Sequence, residues 1–266
     1  NITILKDLHG KALRKLLIAN NKFCNFDCPS QKCTFNMFKN MTTKSVRQWR
    51  FSWQSFLSCC DEIRAFSNSS KEIVLKAYPL LQKDKITVVP HSMEYCKLKA
   101  LRQIQKDELK VAICGAINGI LKGSLVVKDF LEYCKNRSGI KVFMIGSPLA
   151  KECKVKAKNI FYLGRYKSSD LGNMLGKNGI NAVFFPSICP ETFSYLISEL
   201  MFLDIPVVAF NIGAQGEKLR DYDKGFVIST DSTSEEIFFQ FAKNHGVSQM
   251  TSRSTKADFN LCGEDK

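Results

Sequence analysis

The stretch from Asn181 to Phe210 limits what this chain can fold into more than any other. Asn181 to Phe185 is a short apolar run rich in β-formers that ends at Pro186, as a buried strand does. After a Pro190-Glu191-Thr192 turn, Phe193, Leu196, Ile197, Leu200, Met201 and Leu203 recur at helical spacing, which predicts a helix over 192–203. Asp204 and Pro206 stop it, and Val207 to Phe210 makes a second buried strand. Two buried strands joined by one helix through tight loops form a βαβ unit. This reading puts Glu191 at the helix start and Glu199 eight positions on, about 11 Å along the axis, with both carboxylates on one side. An acid in a first helical turn also complements the helix dipole wherever it occurs, so spacing alone leaves a purely structural role open.

The alternation continues on both sides. Strands are expected at 111–114, 141–145, 159–163, 181–185, 206–210 and 225–228, with helices near 124–137, 168–177, 192–203, 213–221 and 234–244. Thr233 and Ser234 suit the cap of the last helix, with Glu235 and Glu236 in its first turn. Such alternation predicts an α/β fold whose parallel sheet is covered by helices on both faces. Upstream, 46–57 is helical, with Trp49, Trp53, Phe56 and Leu57 on a face expected to be core. A strand at 62–66, a helix capped by the Ser67–Ser70 hydroxyls and reaching Tyr78, and a strand from Ile86 to Val89 follow. Leu5, Leu8, Leu13, Leu16 and Leu17 give the first twenty residues an amphipathic pattern. The resulting division is a partial first unit and linker over 1–108, a Rossmann-like unit over 109–245, and a polar tail over 246–266.

Open α/β sheets bind ligands beyond the carboxyl ends of their strands. Three loops on that edge carry suitable residues. Gly115 to Gly123 combines glycines that allow close backbone approach with Lys122, a point charge before a helix N-terminus. The spacing of Gly115, Gly119 and Gly123 is neither a dinucleotide fingerprint nor a P-loop, and a plain strand-to-helix turn accounts for it equally. Arg165 and Tyr166 follow a strand and suit stacking on a planar ring. The third loop is the Pro186–Ser194 segment.

The net charge of +14 is uneven: residues 1–110 hold 20 Lys and Arg against 9 Asp and Glu, and the remainder 19 against 16. The basic portion suits phosphates, including anionic lipid headgroups, or is simply a solvated lysine-rich surface. No nucleic-acid motif accompanies it, so nucleic acid is not expected as a partner. Eleven cysteines, scattered among core-like segments such as Cys114 and Cys134, read as free thiols in a reducing cytoplasm. Cys24, Cys28 and Cys33 are spaced C-x3-C-x4-C, which matches no established metal pattern, and the only histidines are His9, His91 and His245. No apolar run is long enough to span a bilayer and no signal peptide is visible; the chain begins with Asn1, as an excised fragment would.

Pro186-Ser187, Glu191-Thr192-Phe193-Ser194, Glu199, Pro206-Val207-Val208-Ala209 and Gly213-Ala214 together resemble the signature of the retaining GT-B glycosyltransferases of the group 1 class. The Glu-Thr-aromatic-Ser-Tyr form is similar to the bacterial surface-polysaccharide, rhamnan-synthesis-like branch. The resemblance runs from about Ile63 to Ile228 and implies a complete donor lobe preceded by the C-terminal part of an acceptor lobe. It implies transfer of a hexosyl-type sugar, with retention, from a nucleoside-diphosphate donor to a cell-surface polysaccharide or glycolipid. A non-catalytic nucleotide-sugar-binding module of a larger assembly protein is the alternative. Glu191 would be the catalytic acid that contacts the sugar. Gly115, Lys122, Gly123, Arg165, Thr192, Phe193, Ser194, Glu199 and Glu217 would bind the donor, Glu199 through the ribose hydroxyls. His91 would sit at the interlobe hinge. No metal or other cofactor is expected, and the location implied is cytoplasmic, with peripheral contact at an anionic membrane.

Overall fold

The computed structural model describes residues 46–93, 108–147 and 153–244; Cys24, Cys28, Cys33, the amphipathic first segment and the polar tail lie outside them. The first unit comprises α1 (Val46–Ser58), β1 (Ile63–Ala65), α2 (Asn68–Ala77) and β2 (Ile86–Val88). β1 and β2 pair in parallel, and Ala65, Tyr78, Leu81 and Ile86 form a small core between them and α2. Ser67 caps α2 as expected, its hydroxyl accepting from the Ser70 amide. The aromatic stripe on α1 needs correction. Trp53 and Phe56 are exposed and meet edge to face at 5.5 Å, while Leu57 packs on the small core. Among the described residues the small core over β1 and β2 reaches only the Leu57 edge of that face.

The second unit contains β3 (Leu109–Ala116), α3 (Ser124–Cys134), β4 (Ile140–Ser147), β5 (Ile160–Gly164), α4 (Leu171–Lys177), β6 (Ala182–Phe185), α5 (Tyr195–Phe202), β7 (Val207–Phe210), α6 (Gly213–Arg220), β8 (Gly225–Ile228) and α7 (Ser234–Asn244). All six strands run parallel in the order β5-β4-β3-β6-β7-β8. Side chains alternate across the sheet, so Val111 and Ile113 enter one core with α3 and α7, and Ala112 and Cys114 enter the other with α4, α5 and α6. Both faces are thus covered, as the alternation predicted. The strand order reverses between β3 and β6, and the crevice above their carboxyl ends is the topological switch point where such sheets receive ligands.

The expected helix over 192–203 is shorter, beginning only at Tyr195. Pro190 favours an extended residue before it, and Ser194, at φ 60°, is left-handed and cannot continue a right-handed helix. Glu191 therefore lies in the loop and not on the helix axis with Glu199. At the other end Asp204, also left-handed at φ 57°, ends the segment where the sequence placed its stop.

Candidate functional site

Two loops meet at the switch point. After β3 the chain makes a single 3-10 turn over Ile120–Lys122 and enters α3 through Gly123, at φ 86°. A Cβ at Gly123 would lie 2.1 Å from the Pro186 carbonyl oxygen, so only glycine lets this turn close on the end of β6. The contact is completed by the Ile188 amide, which donates to the Leu121 carbonyl at 3.1 Å. Lys122 is thereby brought to Glu191: its ammonium lies 2.6 Å from Oε1, with the Ser187 hydroxyl 3.2 Å from the same oxygen. Residues sixty-nine positions apart form one half-exposed charge pair at the end of the two central strands.

The Glu191 loop is fixed from α6. Gly213, at φ 60°, packs so closely that a Cβ there would approach the Pro190 Cα at 2.5 Å. Its neighbour Ala214 donates its amide to the Glu191 carbonyl at 2.9 Å. Gln215 is fully buried; its Oε1 accepts from the Glu191 amide at 3.0 Å and its Nε2 donates to the Cys189 carbonyl at 2.8 Å. The loop is also held from the first unit. The Ser67 and Ser70 hydroxyls donate to the Thr192 carbonyl at 2.8 and 3.1 Å.

Glu199, only 7% exposed, projects from α5 and accepts a short hydrogen bond from the Ser168 hydroxyl in the loop after β5. Burial, reinforced by the nearby Glu199 charge, pushes the Cys114 thiol up to about 12. Tyr166 is likewise raised, by burial first and then by Cys114 and Glu199. Glu199 thus stands against the end of β3 and the β5 loop, whereas Glu191 stands against Lys122. Ser194, also nearly buried, is the one side chain among the described residues whose buried polar atom has no hydrogen-bond partner. Its hydroxyl sits at the N-terminus of α5. Arg165 is exposed.

Two of the expected site residues make contacts between the two units. Glu217 accepts from the Asn68 amide and Nδ2 at 3.0 Å each and from the Ser69 amide at 2.8 Å, so its carboxylate grips the N-terminus of α2. Burial would raise its pKa, but these amide bonds outweigh that and hold it below the ordinary value. His91 stacks on Phe66, with ring centroids 3.8 Å apart, and packs against Phe193 and Tyr195, so its ring touches both units. Beside it Lys218 lies 3.3 Å over the Phe193 ring and donates to Ser198 Oγ at 2.5 Å. Sequence reasoning missed Gln215, Ser168 and Lys218, and named Ser187 only as part of the signature without a partner. For Ser168 the hydroxyl run Ser168–Ser169 was a signal; a buried glutamine has none. Among the described residues no group of three or more His, Cys, Asp or Glu comes together, and no helix is long and apolar enough to cross a membrane.

A doubly wound parallel sheet with a cation, two acids and an unpartnered buried hydroxyl around its switch point defines a Rossmann-like type of lobe, whose ligands enter at that crevice. The family model for glycosyl transferases group 1 matches residues 71–238, well over half of the chain, and the chain belongs to that family. Among solved structures it is similar to Alr3699/HepE of Anabaena in complex with UDP and glucose, at 15% identity and a TM-score of 0.58, covering 76% of this chain and 58% of that one. It is also similar to a glycosyltransferase from Rickettsia africae ESF-5, at 19% identity and a TM-score of 0.54, covering 72% of this chain and 57% of that one. Sucrose-phosphate synthase from Thermosynechococcus elongatus aligns at 13% identity and a TM-score of 0.58, covering 77% and 54%. At such identities the likeness is one of fold, and the chain spans somewhat over half the length of each structure. No curated protein gave a significant sequence match.

Proposed function

We propose that this chain forms the donor-binding part of a retaining glycosyltransferase, holding a nucleoside-diphosphate sugar at the carboxyl ends of β3 and β6. The observation that carries the reading is the Lys122–Glu191 pair at 2.6 Å above the switch point. In the free protein the two charges answer each other. A diphosphate at Lys122 would supply a competing anion and release Glu191 to accept hydrogen bonds from the sugar hydroxyls. The unpartnered Ser194 hydroxyl and the amides at the start of α5 lie where phosphate oxygens would gain donors. Glu199 offers the remaining carboxylate lone pairs to a vicinal diol, as a ribose presents. As the nucleoside diphosphate departs, Lys122 and these donors would neutralise the charge that develops on it, an interaction stronger in the transition state than in the ground state.

The finer reading is a hexosyl-type sugar passed to a cell-surface polysaccharide or glycolipid, on the rhamnan-synthesis-like branch, without a metal. The basic first 110 residues favour an anionic acceptor or membrane surface, and the free thiols at Cys59, Cys60, Cys114, Cys134, Cys153 and Cys189 favour a reducing cytoplasm. A binding module without transfer is the second reading.

Calorimetry with UDP, GDP and dTDP, each with its sugar conjugate and free nucleoside, tests the site. Wild type should bind one nucleoside diphosphate. Lys122→Ala should weaken that diphosphate roughly 10- to 100-fold, the loss of one charge-assisted bond, with little effect on the nucleoside. Equal losses for both would remove Lys122 from the diphosphate site. Retention of the donor with no sugar transfer or hydrolysis would favour the second reading.

A further inference from the structure

The loop that carries Glu191 is braced from two sides, and one brace belongs to the other unit of the chain. From α6, Gln215 and Ala214 hold the backbone of Cys189 and Glu191. From the first unit, Ser67 and Ser70 in the opening turn of α2 both donate to the carbonyl of Thr192, the residue after Glu191. That turn is itself gripped by Glu217, whose two carboxylate oxygens take the Asn68 and Ser69 amides. Ser67 is nearly fully buried, and its hydroxyl also accepts the Ser70 amide, so it is oriented by the helix it caps. Glu217 and the Thr192 carbonyl thus hold one helical turn from two elements of the second unit.

We propose that Ser67, Ser70 and Glu217 are positioning residues for Glu191, so that the seating of α2 on the second unit sets where the Glu191 carboxylate stands relative to Lys122. Neither serine touches the charge pair; both act through the Thr192 carbonyl. Release of α2 leaves that carbonyl without its two donors and removes one of the two braces on the loop. The arrangement couples the relation between the two units to the shape of the site. Only the role of Glu191 toward a ligand rests on the donor-site reading; the brace itself does not.

The test is amide hydrogen exchange on the full 266-residue chain, with the Glu191 and Ala214 amides and those of residues 192–194 as reporters. Ser67→Ala/Ser70→Ala should speed exchange at these reporters about tenfold or more while β3 (Leu109–Ala116) exchanges as in wild type. Glu217→Gln, which keeps the shape but weakens acceptance from the amides, should give a smaller rise at the same positions. Ser67→Thr, which keeps the hydroxyl, should restore wild-type rates where Ser67→Ala does not. Unchanged rates in the loop, a rise of the same size in β3, or failure of the threonine variant to restore protection overturns the proposal. A second reading uses UDP and UDP-glucose as probes. Ser67→Ala/Ser70→Ala should weaken UDP-glucose several-fold more than UDP, and equal effects on both deny a positioning role. If wild type binds neither probe, the donor reading for UDP fails, and the exchange result alone decides whether the brace exists.

Discussion

Replacing Gly123 by alanine isolates the backbone geometry that brings Lys122 to Glu191. Gly123 is left-handed, at φ 86° and ψ 22°, a conformation that costs an L-residue about 1–2 kcal/mol. The added Cβ would stand 2.1 Å from the Pro186 carbonyl oxygen and 2.7 Å from its carbon, so backbone must move. Forcing such a shift in a packed region costs about 1–3 kcal/mol more. The substitution should therefore lower stability by about 2–5 kcal/mol in all, and displace the 3-10 turn so that Lys122 no longer reaches Glu191. Gly119 supplies an internal control four residues earlier. Its φ of −150° suits any residue and nothing lies within 4 Å of the Cβ it would carry, so Gly119→Ala should be neutral or stabilise by up to about 1 kcal/mol. Urea denaturation followed by circular dichroism compares the two midpoints at a common slope. If Gly123→Ala costs no more than Gly119→Ala, the turn does not depend on glycine and the reasoning from close approach fails.

Three further outcomes are expected. Glu199→Gln should erase most of the preference for a ribonucleoside diphosphate over its 2′-deoxy form, read by calorimetry; an unaltered preference would place the ribose elsewhere. Glu191→Gln should reduce turnover far more than nucleotide affinity, and a variant that turns over like wild type would deny Glu191 its role. Lys218 carries a pH signature. Burial depresses it from 10.5 to about 8, so between those values the unfolded chain holds a proton that the folded chain has released. Stability should therefore rise with pH across that window, relative to Lys218→Met, and a difference between the two urea midpoints that stays flat from pH 8 to 10.5 would contradict it.

The parallel sheet was legible because its central strands are buried on both faces and a helix joins β3 to β4, β5 to β6, β6 to β7 and β7 to β8, so apolar runs and helical repeats alternate over most of the span from Leu109 onward. The Lys122–Glu191 meeting followed from strand order, which brings the ends of β3 and β6 together. What the periodicity misread was the start of α5. Phe193 has the spacing of a helical residue and is buried like one, yet it precedes the left-handed Ser194 and reaches the core from a loop. Hydrophobic spacing records which residues are buried, not the backbone that buries them. Trp53 and Phe56 show the converse, a helical face whose apolar character is not matched by cover among the described residues. The partners of Glu217 were invisible for another reason: they lie some 150 positions away, in a capping turn whose own signal was already accounted for by Ser67.

Pro190 has no amide hydrogen, so the bend before Glu191 lacks a donor that most turns use to hold themselves. The carboxamide of Gln215 stands in as a surrogate peptide group, with its carbonyl end and its amino end each meeting one side of the proline. Glutamate there would keep the reach but present two acceptors, and asparagine would keep both functions but fall a methylene short. Position 215 should consequently tolerate almost no exchange, although the residue is fully buried and bonds the Glu191 amide rather than its carboxylate.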